Sequence, residues 1–212
     1  DKFLPKCKTV CTGTPIRQLF RDLQPLPAWV PSGRGPLIVV IGGSQGSIGL
    51  NYMVRGVYKF LLAQGCRIVH LIGGNDLELT SISDKNLVVK QFTNDMPALL
   101  QHADLAISRA GAGIISELSI CSTPAILVPF PFASDDHQTS NALYAAENGA
   151  AVIMHEGHDQ EQTLIKILSR LLKSRLSDNC NGEDLLSYMR KGMKTIATSD
   201  SHLKLREIIS HA

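Results

Sequence analysis

Short, mostly apolar runs alternate along most of this chain with longer stretches in which apolar residues return at every third or fourth position. Leu37–Ile41 is continuously apolar, and Ile48–Ala63 follows it with Leu50, Met53, Val54, Val57, Phe60 and Leu61 on one helical face. The pairing repeats: strands are predicted over 67–72, 87–92, 103–107, 125–128 and 151–154, and helices over 95–102, 113–121 and 137–148. Apolar runs of this length suit strands buried on both faces, and strands that alternate with helices call for a parallel sheet covered on both sides. The expected fold class is α/β, a Rossmann-like parallel sheet with helices on both faces. Ligands of such sheets sit at the carboxyl ends of the strands.

After His158 the strand signal stops. Residues 161–173 are amphipathic, with Leu164, Ile167, Leu168, Leu171 and Leu172 on one side, and further helices are predicted over 185–197 and 203–209. The polar stretch 174–183 reads as a mobile loop. At the other end, six prolines punctuate residues 1–36, where a short strand over 9–12 and a short helix over 16–23 are expected. This segment has too few apolar residues for a core of its own and reads as a connector. Three units are expected: a connecting segment 1–36, a ligand-binding domain 37–172 and C-terminal helices 173–212.

Composition sets limits on this picture. With 44% hydrophobic and 19% charged residues, the 212-residue chain can bury a core, and its net charge of +2 makes no case for nucleic acid as a partner. No apolar run approaches the ~20 residues that cross a bilayer. Cys7, Cys11, Cys66, Cys121 and Cys180 form an odd, scattered set; Cys7 and Cys11 have a metal-like spacing that no second pair or histidine cluster completes. Reduced thiols are expected, and with His70, His102 and His155 also outside any ligand spacing, neither a metal nor a cofactor is expected.

The candidate chemistry lies at strand ends. Gly42-Gly43-Ser44-Gln45-Gly46-Ser47 follows the first strand and precedes a helix; glycines let backbone wrap a phosphate, and Ser44 adds a hydroxyl donor. No lysine follows as in a Walker loop, and G-x-G-x-x-G is not formed, so a nicotinamide cofactor is not expected. Ser108-Arg109-Ala110-Gly111-Ala112-Gly113-Ile114-Ile115-Ser116-Glu117 joins the fourth strand to a helix. A helix that begins just past a strand end offers free N–H groups and a positive dipole end to phosphate oxygens, and the Glu117 carboxylate can hold a vicinal diol such as a ribose. The same residues also suit an ordinary strand–loop–helix joint. Asp135 or Asp136 can cap the helix after the fifth strand, where His137, Gln138 and Asn141 can bind sugar hydroxyls or simply be solvated. Arg17 can neutralise a phosphate. Phe92, Thr93 and Met96 can border a base or pack in the core, and Arg109 and Asp104 can pair or stay in solvent.

Taken in order, Gly13-Thr14-Pro15-Ile16-Arg17, Gly42 to Gly46, Phe92 to Met96, Arg109 to Ala112 with Glu117, and His137-Gln138 with Asn141-Ala142 resemble one family closely. It is the MurG-type UDP-N-acetylglucosamine glycosyltransferases of the GT-B fold, in which two Rossmann-like domains face a cleft. The resemblance runs from about Gly13 to Leu172 and is to the C-terminal, donor-binding half; the sequence opens on Asp1, and the N-terminal half is expected outside it. Departures are Thr93, where the family often has an aliphatic residue, and Gly113 and Ile114.

The resemblance implies transfer of N-acetylglucosamine from UDP-N-acetylglucosamine to undecaprenyl-pyrophosphoryl-muramoyl-pentapeptide, by an inverting, metal-independent reaction whose general base lies in the N-terminal half. It implies that Arg17 and Ser44, with Gln45 nearby, meet the diphosphate. Phe92 and Thr93 would meet uracil. Ala112, Gly113, Ile114, Ile115 and Ser116 would hold phosphate and ribose, with Glu117 on the ribose hydroxyls, and Gln138, with His137 and Asn141, would read the sugar. The lipid-linked acceptor and peripheral membrane association would come through the other half, at the cytoplasmic face of the inner membrane in a bacterium or in a plastid in a eukaryote. The alternatives are a non-catalytic UDP-sugar-binding module and a UDP-N-acetylglucosamine 2-epimerase-like enzyme.

Overall fold

The computed structural model describes residues 10, 12–43, 46–76, 82–131, 136–176, 184–198 and 200–210, without the side chains of 174 and 175. Six strands, β1 (Leu37–Ile41), β2 (Arg67–Leu71), β3 (Leu87–Lys90), β4 (Leu105–Ser108), β5 (Ala125–Leu127) and β6 (Ala151–Ile153), form one sheet in the order β3-β2-β1-β4-β5-β6. Every pairing is parallel. The helices between them are α1 (Ile48–Ala63), α2 (Met96–His102), α3 (Ala112–Cys121) and α4 (His137–Glu147), followed by α5 (Gln160–Leu176), α6 (Leu185–Ile196) and α7 (Ser201–Ser210). None of the described helices is long and apolar enough to cross a membrane.

Strand periodicity divides the core in two. Leu37, Val39 and Ile41 point to one face with Val69, Leu71 and Ala106, where α2, α3 and α4 cover them. Ile38 and Val40 point to the other with Ile68, Ile107 and Ile126, under Leu50, Val54 and Leu61 of α1 and Leu164, Leu168 and Leu171 of α5. Each valine, leucine or isoleucine among these, fully buried, contributes about 1.5–3 kcal/mol. Helix α6 straddles the β6 edge of the sheet: Leu186 and Met189 join the second core and Met193 the first.

The α/β class and the parallel sheet agree with the pattern of the sequence; some local expectations do not. The helix expected over 16–23 is one 3-10 turn, Gln18–Phe20, because Arg17 before it is extended (ψ 141°). Val10 and Thr12 of the strand expected over 9–12 are irregular, and the rest of it lies outside the described residues. The connecting segment, which has no core of its own, shares that of the sheet: Phe20 and Val30 are buried in the first core, and Ile16, Leu26 and Trp29 pack against it. At its start the Thr14 carbonyl accepts a hydrogen bond from Ser201 Oγ of α7 (3.0 Å). The loop expected from 174 begins later, since α5 runs on to Leu176; residues 177–183 lie outside the described residues.

Candidate functional site

The strand order reverses direction between β1 and β4, which are neighbours although two strands and two helices separate them in the chain. The loops leaving their carboxyl ends diverge there, and the crevice between them is the default ligand position of an open parallel sheet. Two helices begin at this rim without a side-chain cap. The α1 N-cap is Ser47, whose side chain does not bond the helix, and the α3 N-cap is Gly111, which has no side chain to do so. Their leading N–H groups are thus available to an anion.

Ser47 is not idle. Its hydroxyl accepts a hydrogen bond from Arg109 Nε (2.8 Å), and the Arg109 guanidinium also donates to the carbonyls of Val128 (3.2 Å) and Pro129 (3.3 Å) and to Glu156 Oε1. Phe130 lies under it at 5.2 Å. One side chain therefore ties together the ends of β1, β4 and β5 and the loop after β6. Asp104, the other half of the pairing considered from the sequence, faces Arg190 (3.8 Å) and accepts the Leu37 N–H (2.8 Å). Glu156 escaped sequence reasoning altogether: it follows a short strand without a motif, and its only signal is a lone acid near a strand end.

Behind the glycine loop, Gly46 (φ 84°) and Gly73 (φ 78°) pass so closely that a Cβ on Gly73 would strike the Gly46 amide. That approach, and not a preference for turns, requires glycine at both positions. Ser44 and Gln45 lie outside the described residues. The remaining loop lines a cleft of about 510 Å³ with Arg109, Phe130, Gln138 and Glu156.

A second cleft of about 350 Å³ adjoins, lined by Ala112, Ile115, Ser116, Asn141, Gly13 and Thr14 among others. The Ala110 peptide lies between the two. Gln138 Oε1 accepts from its N–H (3.3 Å) and from that of Phe130 (3.0 Å), and Asn141 Nδ2 donates to its carbonyl (3.1 Å). Both α4 amides thus shape the loop through one end each, Gln138 through its oxygen and Asn141 through its NH₂. His137 is exposed at the start of α4. The cap considered for that helix is not made by Asp136, whose backbone is left-handed (φ 52°) and whose side chain makes no cap bond; Asp135 is outside the described residues.

Within α3, Ala112 and Gly113 are exposed, and Ile114, Ser116 and Glu117 half-buried. Ile115 packs in the core with its N–H on Gly111 O (3.2 Å), and Ser116 Oγ bonds back to Ala112 O (2.9 Å). Burial pushes the Glu117 carboxyl up from its ordinary pKa, and the nearby Arg17 cation pulls it back down. Arg17 also lies 5.1 Å from the Phe20 ring. Arg17 and Glu117, far apart in sequence, are therefore neighbours on one face of the sheet. Phe92 is exposed and Thr93 half-buried after β3, and Met96 packs against the first core.

Residues 37–196 match the glycosyltransferase family 28 C-terminal domain. The chain belongs to this family. It is 53% identical over 211 residues to the UDP-N-acetylglucosamine–N-acetylmuramyl-(pentapeptide) pyrophosphoryl-undecaprenol N-acetylglucosamine transferase of Prochlorococcus marinus (strain MIT 9211), covering 100% of this chain and 59% of that protein. The transferase of the same name from Synechococcus sp. (strain CC9902) is 53% identical over 207 residues, 98% of this chain and 58% of the relative. The chain thus spans less than two thirds of these curated relatives. Among solved structures, Acinetobacter baumannii MurG superposes with a TM-score of 0.65 at 26% identity, covering 87% of this chain and 55% of that one. The glycosyltransferase of kitacinnamycin (TM-score 0.62, 19% identity, 92% of this chain and 47% of that one) shares the fold. The MurG-type resemblance and the GT-B C-terminal architecture read from the motifs both hold.

Proposed function

We propose that this chain is the donor-binding half of a hexosyltransferase that moves N-acetylglucosamine from UDP-N-acetylglucosamine to undecaprenyl-pyrophosphoryl-muramoyl-pentapeptide, converting lipid I to lipid II in peptidoglycan synthesis. Relatives at 50–53% identity are named for that transfer. The observation that carries the reading is the rim where β1 and β4 end, where two helix N-termini without a side-chain cap begin, the α1 start lining one cleft and the α3 start the other. In this reading residues 1–36 lead from an N-terminal half, 37–172 bind the donor and 173–212 supply closing helices.

The α1 and α3 N-termini, Ser44 with Gln45, and Arg17 hold the diphosphate. Main chain at Phe92 and Thr93 meets uracil, Glu117 takes the ribose hydroxyls, and Gln138, with His137, donates to the sugar while Asn141 Oδ1 accepts from it. The acceptor hydroxyl attacks the anomeric carbon as the bond to the β-phosphate oxygen breaks, and the electron pair leaves with UDP. Helix dipoles and the Arg17 cation stabilise the charge that develops on that oxygen. The base that removes the acceptor proton is assigned to the part of the full-length relatives that this chain does not span. A peripheral seat at the cytoplasmic membrane face, where the lipid-linked acceptor would be met, belongs to the same proposal.

Calorimetry of this chain with UDP-N-acetylglucosamine in the presence of a chelator tests the donor site; saturable one-to-one binding is expected. The chain completed with the N-terminal half of a relative should then transfer labelled sugar to the lipid acceptor. Absence of saturable binding overturns the proposal. Binding without transfer by the completed protein reduces it to a sugar-nucleotide module, and donor turnover without acceptor replaces it by an epimerase.

A further inference from the structure

We infer that Asp95 is a positioning residue for the nucleobase, and that it ties base recognition to Trp29 in the segment ahead of β1. This rests on the donor-binding reading above. Asp95 is the N-cap of α2, where an aspartate ordinarily accepts its own helix's N–H groups, yet its side chain makes no cap bond. Its Oδ2 instead accepts the indole N–H of Trp29 (2.9 Å) and the hydroxyl of Thr93 (3.1 Å). Thr93 Oγ1 in turn accepts the Asp95 N–H (3.0 Å). The indole is held from its face as well, by Lys90 Nζ 3.8 Å from the ring centroid. A strut therefore runs from the connecting segment to both ends of the turn 90–95.

With its hydroxyl proton given to Asp95 Oδ2 and one lone pair taken by the Asp95 N–H, the Thr93 side chain is held within the turn and has no hydrogen left to donate to a base. What the turn presents is main chain: among the described residues neither Phe92 nor Thr93 has a partner for its N–H or C=O. A peptide N–H and C=O held at fixed spacing match uracil, which offers an acceptor oxygen beside the N3–H donor. Cytosine reverses that order, with an acceptor at N3 beside an amine. A rigid turn discriminates between them, because the wrong base leaves polar groups unpaired; a slack turn adapts to either. Asp95 and Trp29 supply the rigidity.

The test uses this chain, in which Trp29 is the single tryptophan. UDP and CDP are titrated by calorimetry into the parent and into Asp95→Ala, Asp95→Asn and Trp29→Phe, with folding checked by circular dichroism. Asp95→Ala should lower UDP affinity about tenfold with little change for CDP, the loss expected for one buried hydrogen bond. Asp95→Asn, which keeps a carbonyl acceptor, should recover most of the selectivity, and Trp29→Phe should lose part of it. UDP should also shift the Trp29 emission of the parent, and ribose 5-phosphate should not. An unchanged UDP-to-CDP ratio in folded Asp95→Ala overturns the inference, as does calorimetric UDP binding that leaves Trp29 emission unmoved. If Asp95→Ala does not fold, Trp29→Phe and Thr93→Val carry the same comparison. Failure of the parent to bind UDP would sink the donor-binding reading itself.

Discussion

His70 offers the sharpest quantitative test, because its proton inventory is fixed by its neighbours. It lies on β2, fully buried, between two residues of α1: Tyr58 OH is 2.5 Å from Nδ1 and Asn51 Oδ1 is 3.0 Å from Nε2. Asn51 spends its NH₂ on the Ile72 carbonyl (2.9 Å) and Asp76 Oδ2 (2.7 Å), so its oxygen must accept and Nε2 must carry the hydrogen. Nδ1 then accepts from Tyr58, whose phenol burial holds neutral. Burial, with the Arg55 cation opposed by Asp76, lowers the His70 pKa from 6.5 to about 3. The unfolded chain therefore binds this proton below about 6.5 while the folded chain does not. Stability from this group is complete above that pH and declines as pH falls towards 3, by up to about 1.4 kcal/mol per unit. At pH 5 the deficit is about 2 kcal/mol, or some 4–8 °C in Tm for a chain of this size. His70→Gln keeps a donor for Asn51 and has nothing to protonate. Urea unfolding at pH 7.5 and pH 5 should show the variant weaker at pH 7.5, by about 1–3 kcal/mol for the lost Tyr58 bond, but with an acid loss about 2 kcal/mol smaller than the parent's. Equal acid losses in the two proteins would refute the assignment.

Three further outcomes follow from the site and the packing. Glu117→Ala should weaken UDP by about 1–3 kcal/mol in calorimetry while leaving pyrophosphate affinity unchanged, and a folded variant with unaltered UDP affinity would remove the ribose role. Arg109→Lys keeps the charge but cannot reach Ser47, the Val128 and Pro129 carbonyls and Glu156 together; donor affinity and Tm should both fall, the Tm by several degrees in calorimetric scans. Gly192→Ala would drive a Cβ to 2.5 Å from the Asn148 carbonyl, where α6 crosses the end of α4; urea unfolding should register a loss of about 1–3 kcal/mol, whereas Gly157→Ala, with nothing within 4 Å, should be near neutral.

Much of the architecture was legible because it is written in local periodicity. Leu37–Ile41 and Ile48–Ala63 appear in the structure with the bounds the pattern predicts. A run that is apolar at successive positions can be satisfied only between two layers, and a 3.6-residue repeat only on a helix. Boundaries slipped where a tertiary contact intervened. The fourth strand starts at Leu105, not at 103, because Asp104 turns its carboxylate back onto the Leu37 N–H, and the third ends at Lys90 where Phe92 swings outward.

The sequence by itself determined that strands and helices alternate, and which loops carry phosphate-compatible glycines, since both depend on neighbours a few positions apart. Only the tertiary structure decided how those loops share their atoms. Arg109 meets Glu156 across 47 positions of chain, Gln138 and Asn141 spend half of each amide on Ala110, and Trp29 reaches Asp95 from a segment that looked like a linker. A hydrogen-bonding side chain has more candidate partners than it has donors or acceptors. Which partner it takes is set by the parallel pairing of β1 with β4 at the centre of the sheet, a relation that no window of the sequence contains.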